Sequence, residues 1–535
     1  MNRKGIITGA LITFLFITWG IFYCFILPPF QGADEPSHFL GYASIRSDKK
    51  LSSEALVAAN RFHFFRIKQK NNEKFASEDV NNPLACQWDE TVSASEKTRS
   101  PLSTIIWKSS DIIFKSNCVE KQIIILRVTG LLFVGLALFI SLSLTVYCEP
   151  KKNLSLMLGL VFLCVPSIIY NSAVLSNYSY LIGSYILQSF ALYNIVNSER
   201  CTVLNKYLIS IGILSGLGLS MGILAGDNGV IASAVWAILL PVYLMCVSQK
   251  IAISLRVSHQ RLFIKAFTLS MLLPFLFTAV YNYSEPIVPV KVHELLIKNF
   301  HFYSNIIPFI LIPLVAIIIY SITRVLDEII IYLKQNWLIT SQPTKQLISI
   351  FIVLLIIIGS YKYSVYDIEC VNMPVDSITY SISVLTSFLS GFFSYNGDHL
   401  VCNSFWGNYG WLDTPLPYLF IIFVKEAFGL GLILGMAAYF YKKEVNYSTL
   451  YIFLFLAICL FTLAIGLSYY RVKYNVHGRY LFGPYLFIIA LSTCGYIRSA
   501  GTWKLLKSKT VVTILLVLST ILNTISINTI LNRYF

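Results

Sequence analysis

Charge is what this 535-residue sequence has least of: Asp, Glu, Lys and Arg make up 13% of it, against about 25% in globular domains. With 56% hydrophobic residues and a mean hydropathy of +0.68, the composition is that of an all-α polytopic integral membrane protein. The formal charge of +15 sits largely in short loops between apolar runs, where it sets orientation, so nucleic-acid binding is not expected. Familiar cofactor signatures are missing as well. None of the His residues has an HxxxH partner, and the 11 Cys show no haem, zinc or thioredoxin-type spacing, which disfavours a metal site. No Walker motif or Gly-rich phosphate loop is present, so ATP is not the energy source.

What is abundant is long apolar runs. Those near the roughly 20 residues that cross a hydrocarbon core cover 6–27, 123–146, 154–169, 180–196, 207–224, 230–247, 263–280, 302–322, 347–359, 418–439, 450–467, 480–497 and 511–530. That predicts about 13 transmembrane helices. The first run follows Arg3 and Lys4 but has no small-residue cleavage site, so it reads as a helix, not a signal peptide. A cytoplasmic amino terminus puts Lys151, Lys152, Arg200, Lys206, Lys250, Arg256, Arg261, Lys442, Lys443, Arg498, Lys504, Lys507 and Lys509 inside, in agreement with the positive-inside bias. The loops at 171–177 and 226–228 carry no Lys or Arg.

This topology leaves long segments outside. The chain divides into an amino-terminal transmembrane module, 1–361, with a periplasmic loop at 28–121, a periplasmic loop at 362–417, and carboxy-terminal transmembrane helices at 418–535. The first loop contains amphipathic pieces, 55–65 and 105–114, suited to lie along the membrane surface as a roof. Cys86, Cys118, Cys370 and Cys402 fall outside, where Cys86–Cys118 and Cys370–Cys402 pairs are one expectation and free thiols the other. Cys24, Cys148, Cys164, Cys246, Cys459 and Cys494 lie in or beside apolar runs and read as packing residues.

Three polar constellations lie on the outer side. In LPPFQGADEPSHF, 27–39, the first apolar run hands over to adjacent carboxylates, Asp34 and Glu35, with His38 close by. Like charges side by side at a low-dielectric boundary resist double ionisation, which gives a site a proton acceptor beside a permanent charge. Asp-Glu-Pro is equally good helix-start chemistry, with Asp34 as the cap. YYRVKYNVHGRY, 469–480, sets Arg471, Lys473, His477 and Arg479 against the positive-inside trend. Such donors suit phosphate oxygens, of a lipid headgroup or of a specific lipid-linked phosphate. FWGNYGWLDTPLP, 405–417, preceded by NGDH, offers Trp406, Tyr409 and Trp411 as flat faces for sugar rings, and Asp398 and Asp413 as acceptors for hydroxyls. An aromatic-belt anchor is the plainer reading of that cluster.

These pieces, with VPSIIYNSAVLSN and HGRYLFGPYL in the same order, resemble a family of bacterial multi-pass proteins grouped with the glycosyltransferase C superfamily, which includes serotype-converting O-antigen glucosyltransferases. The resemblance spans nearly the whole chain. It implies a glycosyltransferase-C-like fold in the bacterial inner membrane and transfer of a sugar from a polyprenyl-phosphate donor at the periplasmic face. Carried over by position, Asp34 and Glu35 are the candidate catalytic acids. Arg479 and His477, with Lys473 and Arg471, are candidate donor-phosphate contacts; His38, Asn177, Asp398, Trp411 and Asp413 are candidate sugar or acceptor contacts. Asn177 stands where relatives often carry Asp, and an amide can hydrogen-bond a hydroxyl but cannot act as a base. The 222–228 segment lacks the Lys expected there.

The expected chemistry is inverting. A carboxylate takes a proton from an acceptor hydroxyl, the oxygen attacks the anomeric carbon, and polyprenyl phosphate leaves into the basic field. No cofactor or divalent metal is required. The expected partners are undecaprenyl-phosphate-linked glucose or a similar sugar, an O-antigen or other surface-glycan acceptor, membrane lipids, and proteins that make and flip the donor. A surface-polysaccharide polymerase is the alternative enzyme. A transporter or flippase of lipid-linked sugars is the alternative of another class, but transporters place charges at the midplane.

Overall fold

In a computed structural model of the chain, residues 3–32, 34–46, 100–148, 154–197, 204–226, 253–281, 407–409, 414–427 and 508–534, with single positions between 229 and 240 and at 430, 482 and 486, are described. They are mostly helical. The elements are α1 (Arg3–Ile26), α2 (Glu35–Ile45), α3 (Pro101–Ile113), α4 (Val119–Cys148), α5 (Leu154–Leu163), α6 (Pro166–Ala173), α7 (Asn177–Asn197), α8 (Leu204–Ala225), α9 (Ile253–Tyr281), a two-residue hairpin of β1 (Asn408–Tyr409) and β2 (Thr414–Pro415), and α10 (Ser508–Tyr534). Among the described residues, four helical stretches are long and apolar enough to cross a membrane: Ile6–Ile26, Val119–Cys148, Asn205–Ala225 and Thr510–Tyr534. The expected runs at 302–322, 347–359, 450–467 and most of 480–497 lie outside the described residues.

Close contacts at glycines set the direction of each pass. Gly20 lies against Leu131, Gly135 against Ile17 and Gly9 against Leu142, so α1 and α4 are antiparallel. Gly130 beside Ser179 and Gly183 beside Phe133 and Ala137 make α4 and α7 parallel. Asn194 reaches Thr145 Oγ1 (3.2 Å) on α4 and Ser210 Oγ (3.1 Å) on α8. Gly218 meets Ser184 and Gln188, so α7 and α8 are antiparallel. The directions alternate from α1 to α8, with α5 and α6 together counting as one pass, whereas α8 and α9 are parallel, Gly212 meeting Phe263 and Ala266 and Gly216 meeting Phe267 and Ser270.

Small residues let α8 approach its neighbours on two sides. Gly212 and Gly216 put their backbones against Phe263 and Phe267 of α9, while Gly218 and Gly222 face Ser184, Gln188 and Ser233. Close backbone approach of this kind is the usual source of helix adhesion in lipid, where apolar side chains gain nothing by leaving the bilayer. A Cβ on Gly216 would sit 2.5 Å from the Phe267 carbonyl oxygen. Gly216→Leu is therefore expected to separate α8 from α9 at a cost of about 1–3 kcal/mol, read as a lower unfolding midpoint in detergent.

The run at 154–169 is not one helix. It breaks at Cys164 and Val165 and resumes at Pro166 to end at Ala173. Proline has no N–H to continue the ladder, and its ring drives the preceding residue out of the helical region; Val165 has φ −115° and ψ 88°. The Leu163 carbonyl freed by the break accepts from Asn523 Nδ2 of α10 at 2.9 Å.

Two apolar cores result. The large one lies inside the bundle and draws on α1 and α4 to α10. The small one, Phe30, Phe39, Leu40, Tyr42, Ala43, Trp107, Val119, Ile123, Leu126 and Leu175, joins α2 and α3 to the ends of the bundle helices where α1 exits. The expected amphipathic helix at 105–114 is present as α3, started by Ser100, whose side chain caps Ser103 N–H (3.1 Å) in a reciprocal pair, with Pro101 in the first turn. Segment 55–65 lies outside the described residues.

Candidate functional site

Between the end of α1 and the start of α2 the chain turns through a short elbow, and two non-glycine residues in it have left-handed backbone: Phe30 (φ 61°) and Asp34 (φ 65°). Asp tolerates this region; for a bulky residue such as Phe it costs about 1–3 kcal/mol and persists only where the surroundings enforce it. Here the surroundings are Phe39, whose ring meets that of Phe30 edge-on at 5.6 Å, and a guanidinium.

Arg127, inside α4, spends every N–H on this elbow. Nε donates to Glu35 Oε1 (2.7 Å) and Nη2 to Glu35 Oε2 (2.7 Å); Nη1 donates to the carbonyls of Cys24 (3.0 Å) and Leu27 (2.6 Å), and Nη2 also to that of Pro28 (3.0 Å). The carboxylate is used as fully. Glu35 Oε1 also accepts from Leu175 N–H (3.0 Å) in the α6–α7 link, and Oε2 from Gly32 N–H (3.0 Å). Both side chains are wholly buried. A buried ion pair repays its desolvation only when its remaining donors and acceptors are satisfied, and this one meets that condition. Gly32 is fixed by space: a Cβ there would strike Val174 and come within 2.6 Å of the Glu35 carboxyl carbon.

The two adjacent carboxylates thus have different surroundings. Glu35 is held by Arg127, so its charge is matched by a cation and not set against its neighbour. Asp34 is half-buried, at the position preceding α2, and its carbonyl accepts from His38 N–H at 3.2 Å. It occupies the helix-cap position, but its side chain makes no capping bond. The cap expectation is therefore corrected: a capping residue has extended backbone, whereas Asp34 is left-handed, while Pro36 holds the first turn as expected.

Other expected contacts are placed as follows. His38 is buried beneath α3, its ring 6.4 Å from that of Trp107. Asn177 opens α7 at the same mouth, with its Oδ1 3.5 Å from Ser100 Oγ. Asp398, Trp411, Asp413, Arg471, Lys473, His477 and Arg479 lie outside the described residues, as do Cys86, Cys370, Cys402 and both cysteine pairings; Cys118 is an exposed free thiol. Among the described residues no group of three or more His, Cys, Asp or Glu is arranged to hold a metal ion.

Tyr409 of the aromatic loop does reach the first exit. Asn408 pairs with Pro415 and Tyr409 with Thr414 in the hairpin. Tyr409 is fully buried, its ring 4.8 Å from that of Tyr170 and 6.2 Å from that of Tyr23, with its hydroxyl 2.7 Å from Ser526 Oγ of α10. Tyr23 OH donates to Asn523 Oδ1 at 3.2 Å. Tyr23 sits one turn before the Leu27 carbonyl that Arg127 holds, so the tyrosine trio joins the hairpin to the elbow. Tyr409 is no belt residue but the hairpin's anchor in the bundle.

Beyond the elbow, α2 and α3 are tied at their far ends. Tyr42 OH donates to Asp111 Oδ1 (2.6 Å), and Arg46 donates to Tyr42 OH (3.2 Å), the Ser116 carbonyl (2.9 Å) and Asn117 Oδ1 (3.3 Å). Burial, and then the bond to Asp111, push the Tyr42 hydroxyl well above its ordinary range. No protein-family model, curated protein or solved structure matches the chain.

Proposed function

We propose that the chain is a membrane glycosyltransferase that moves a hexose from a polyprenyl-phosphate donor to a surface glycan, with Asp34 as the base. The observation that carries this is the unequal use of the two carboxylates at the elbow. Glu35 is consumed in the buried pair with Arg127, and Asp34 is set beside it in the same elbow as the strained Phe30, partly open to water. Backbone outliers held by an over-determined surround are common at working sites. The burial of Tyr409 against Tyr23 and Tyr170 supports the reading, because the candidate sugar contacts Trp411 and Asp413 follow it closely in sequence.

In this reading about 13 helices span the inner membrane in a glycosyltransferase-C-like arrangement, with the amino terminus cytoplasmic and the elbow periplasmic. Asp34 takes the proton from an acceptor hydroxyl. The new C–O bond forms as the bond to the lipid phosphate breaks, and the leaving phosphate is received by Arg471, Lys473, His477 and Arg479. Asn177, His38 and Asp398 act in binding and positioning and take no proton. The test is the composition and linkage of cell-surface glycan, by mass spectrometry and NMR, in cells with and without the gene. Loss of one sugar branch at unchanged chain length is expected. Shortened chains favour a polymerase; unchanged glycan rejects both.

A further inference from the structure

Helix α3 ends on three consecutive large apolar residues turned away from the protein: Ile112, Ile113 and Phe114 are 75%, 67% and 60% exposed. They are held firmly. Tyr42 and Arg46 fix Asp111, Ser116 and Asn117 around them, and Ser116 N–H donates to Gln122 Oε1 at 2.8 Å. An exposed apolar tip on a rigid mount needs something to face, and its depth identifies it. Arg127 bonds the carbonyls of Cys24 and Leu27, so that level of α4 lies alongside the end of the apolar span Ile6–Ile26. Ser110 of α3 shares a hydrogen bond with Thr129 at 3.0 Å, and Thr129 is about 3 Å farther along α4 than Arg127. The last turn of α3 is therefore at the edge of the apolar belt, not above it.

The side on which it lies follows from helical spacing. Thr129, Leu132 and Leu136 share one face of α4 at i, i+3 and i+7, and Leu132 and Leu136 are exposed. The face that α3 leans on runs directly into bare apolar surface. Lys115 and Lys121, both exposed, follow the tip in the chain.

We propose that Ile112, Ile113 and Phe114 form a wedge seated among the phospholipids of the leaflet on the α1-exit side, with Lys115 and Lys121 on the headgroup phosphates. Apolar residues placed in the boundary with lysines beside them are the arrangement by which interfacial helices hold anionic bilayers. The inference is independent of the proposed chemistry.

The experiment uses the full chain reconstituted in vesicles of phosphatidylethanolamine and phosphatidylglycerol, with p-benzoyl-phenylalanine at position 113 and, as a second site, at position 132. After illumination, position 113 is expected to yield lipid adducts, with phosphatidylglycerol enriched over its share of the vesicle. Lys115→Gln combined with Lys121→Gln is expected to abolish that enrichment while leaving the lipid adducts. Adducts to peptides of this chain, of a second copy or of another protein at position 113 would overturn the proposal. So would no adduct at 113 while 132 captures lipid, or failure of both positions to capture lipid in protein that elutes as a single species.

Discussion

Arg127→Ala is expected to destabilise the folded protein by about 3–5 kcal/mol, the cost of leaving a buried charge without its partner, and to be the most damaging single change at the elbow. The pair is wholly buried, so water cannot take over for the missing guanidinium. Glu35 would keep Leu175 and Gly32 as donors and lose its cation. Arg127→Lys is not a conservative change here, because a point charge with three donors cannot meet two carboxylate oxygens and three carbonyls arranged around a planar fork. Replacing both partners, Arg127→Met with Glu35→Leu, removes the stranded charge and is expected to recover only part of the loss. The carbonyls of Cys24, Leu27 and Pro28 would still be short of donors, at about 1–3 kcal/mol for a buried unsatisfied group. Unfolding midpoints of purified protein in detergent measure the series. An Arg127→Ala variant as stable as the parent would show that the elbow is hydrated and the pair dispensable.

Asp34→Asn is expected to lower sugar transfer by about 10²–10⁴-fold, the usual contribution of a positioned base, while moving stability by no more than about 0.5 kcal/mol. Asparagine suits the test because it keeps the shape and, like Asp, accepts left-handed backbone, so the elbow at φ 65° is preserved. Glu35→Gln should do the reverse: it strands the Arg127 charge and lowers the unfolding midpoint, while the fraction that remains folded keeps its activity. Transfer by each variant, normalised to folded protein, separates the two roles. Normal transfer by Asp34→Asn would remove the proposed base, and a stable but inactive Glu35→Gln would move the assignment to Glu35.

The helices were legible where one physical term dominates. Long apolar runs gave α1, α4, α8 and α10 within a few residues, and the two faces of α3 showed as amphipathic spacing. The break in the third run was written in Pro166 but outvoted by the apolar residues on either side. Arg127 was missed although its signal was present: a lone Arg within the run at 123–146 has to find a partner inside the protein, and Glu35 is an acid placed at an exit. The paired glycines of α8, at spacings of four, were a second readable signal. Other features had no local signature. The burial of Glu35 rests on partners 92 and 140 residues away in sequence, and the burial of Tyr409 depends on α10. A Tyr between two Gly in a Trp-rich loop looks the same whether it lies at a membrane boundary or inside a bundle.

The interrupted pass at Cys164 and Val165 has a consequence for the order in which the protein is built. When α5 and α6 enter the bilayer during synthesis, the Leu163 carbonyl has no helical partner, and the side chain that satisfies it, Asn523, is 360 residues away and not yet made. Tyr23 waits longer still, since Asn523 lies 500 residues beyond it. The early helices are thus inserted with polar groups whose partners arrive with α10, and until then water or the translocation machinery must hydrate them. Assembly is in this respect closed by its late helix: α10 completes the break and, through Ser526, receives the Tyr409 anchor, so the hairpin cannot be seated before the bundle beneath it is whole.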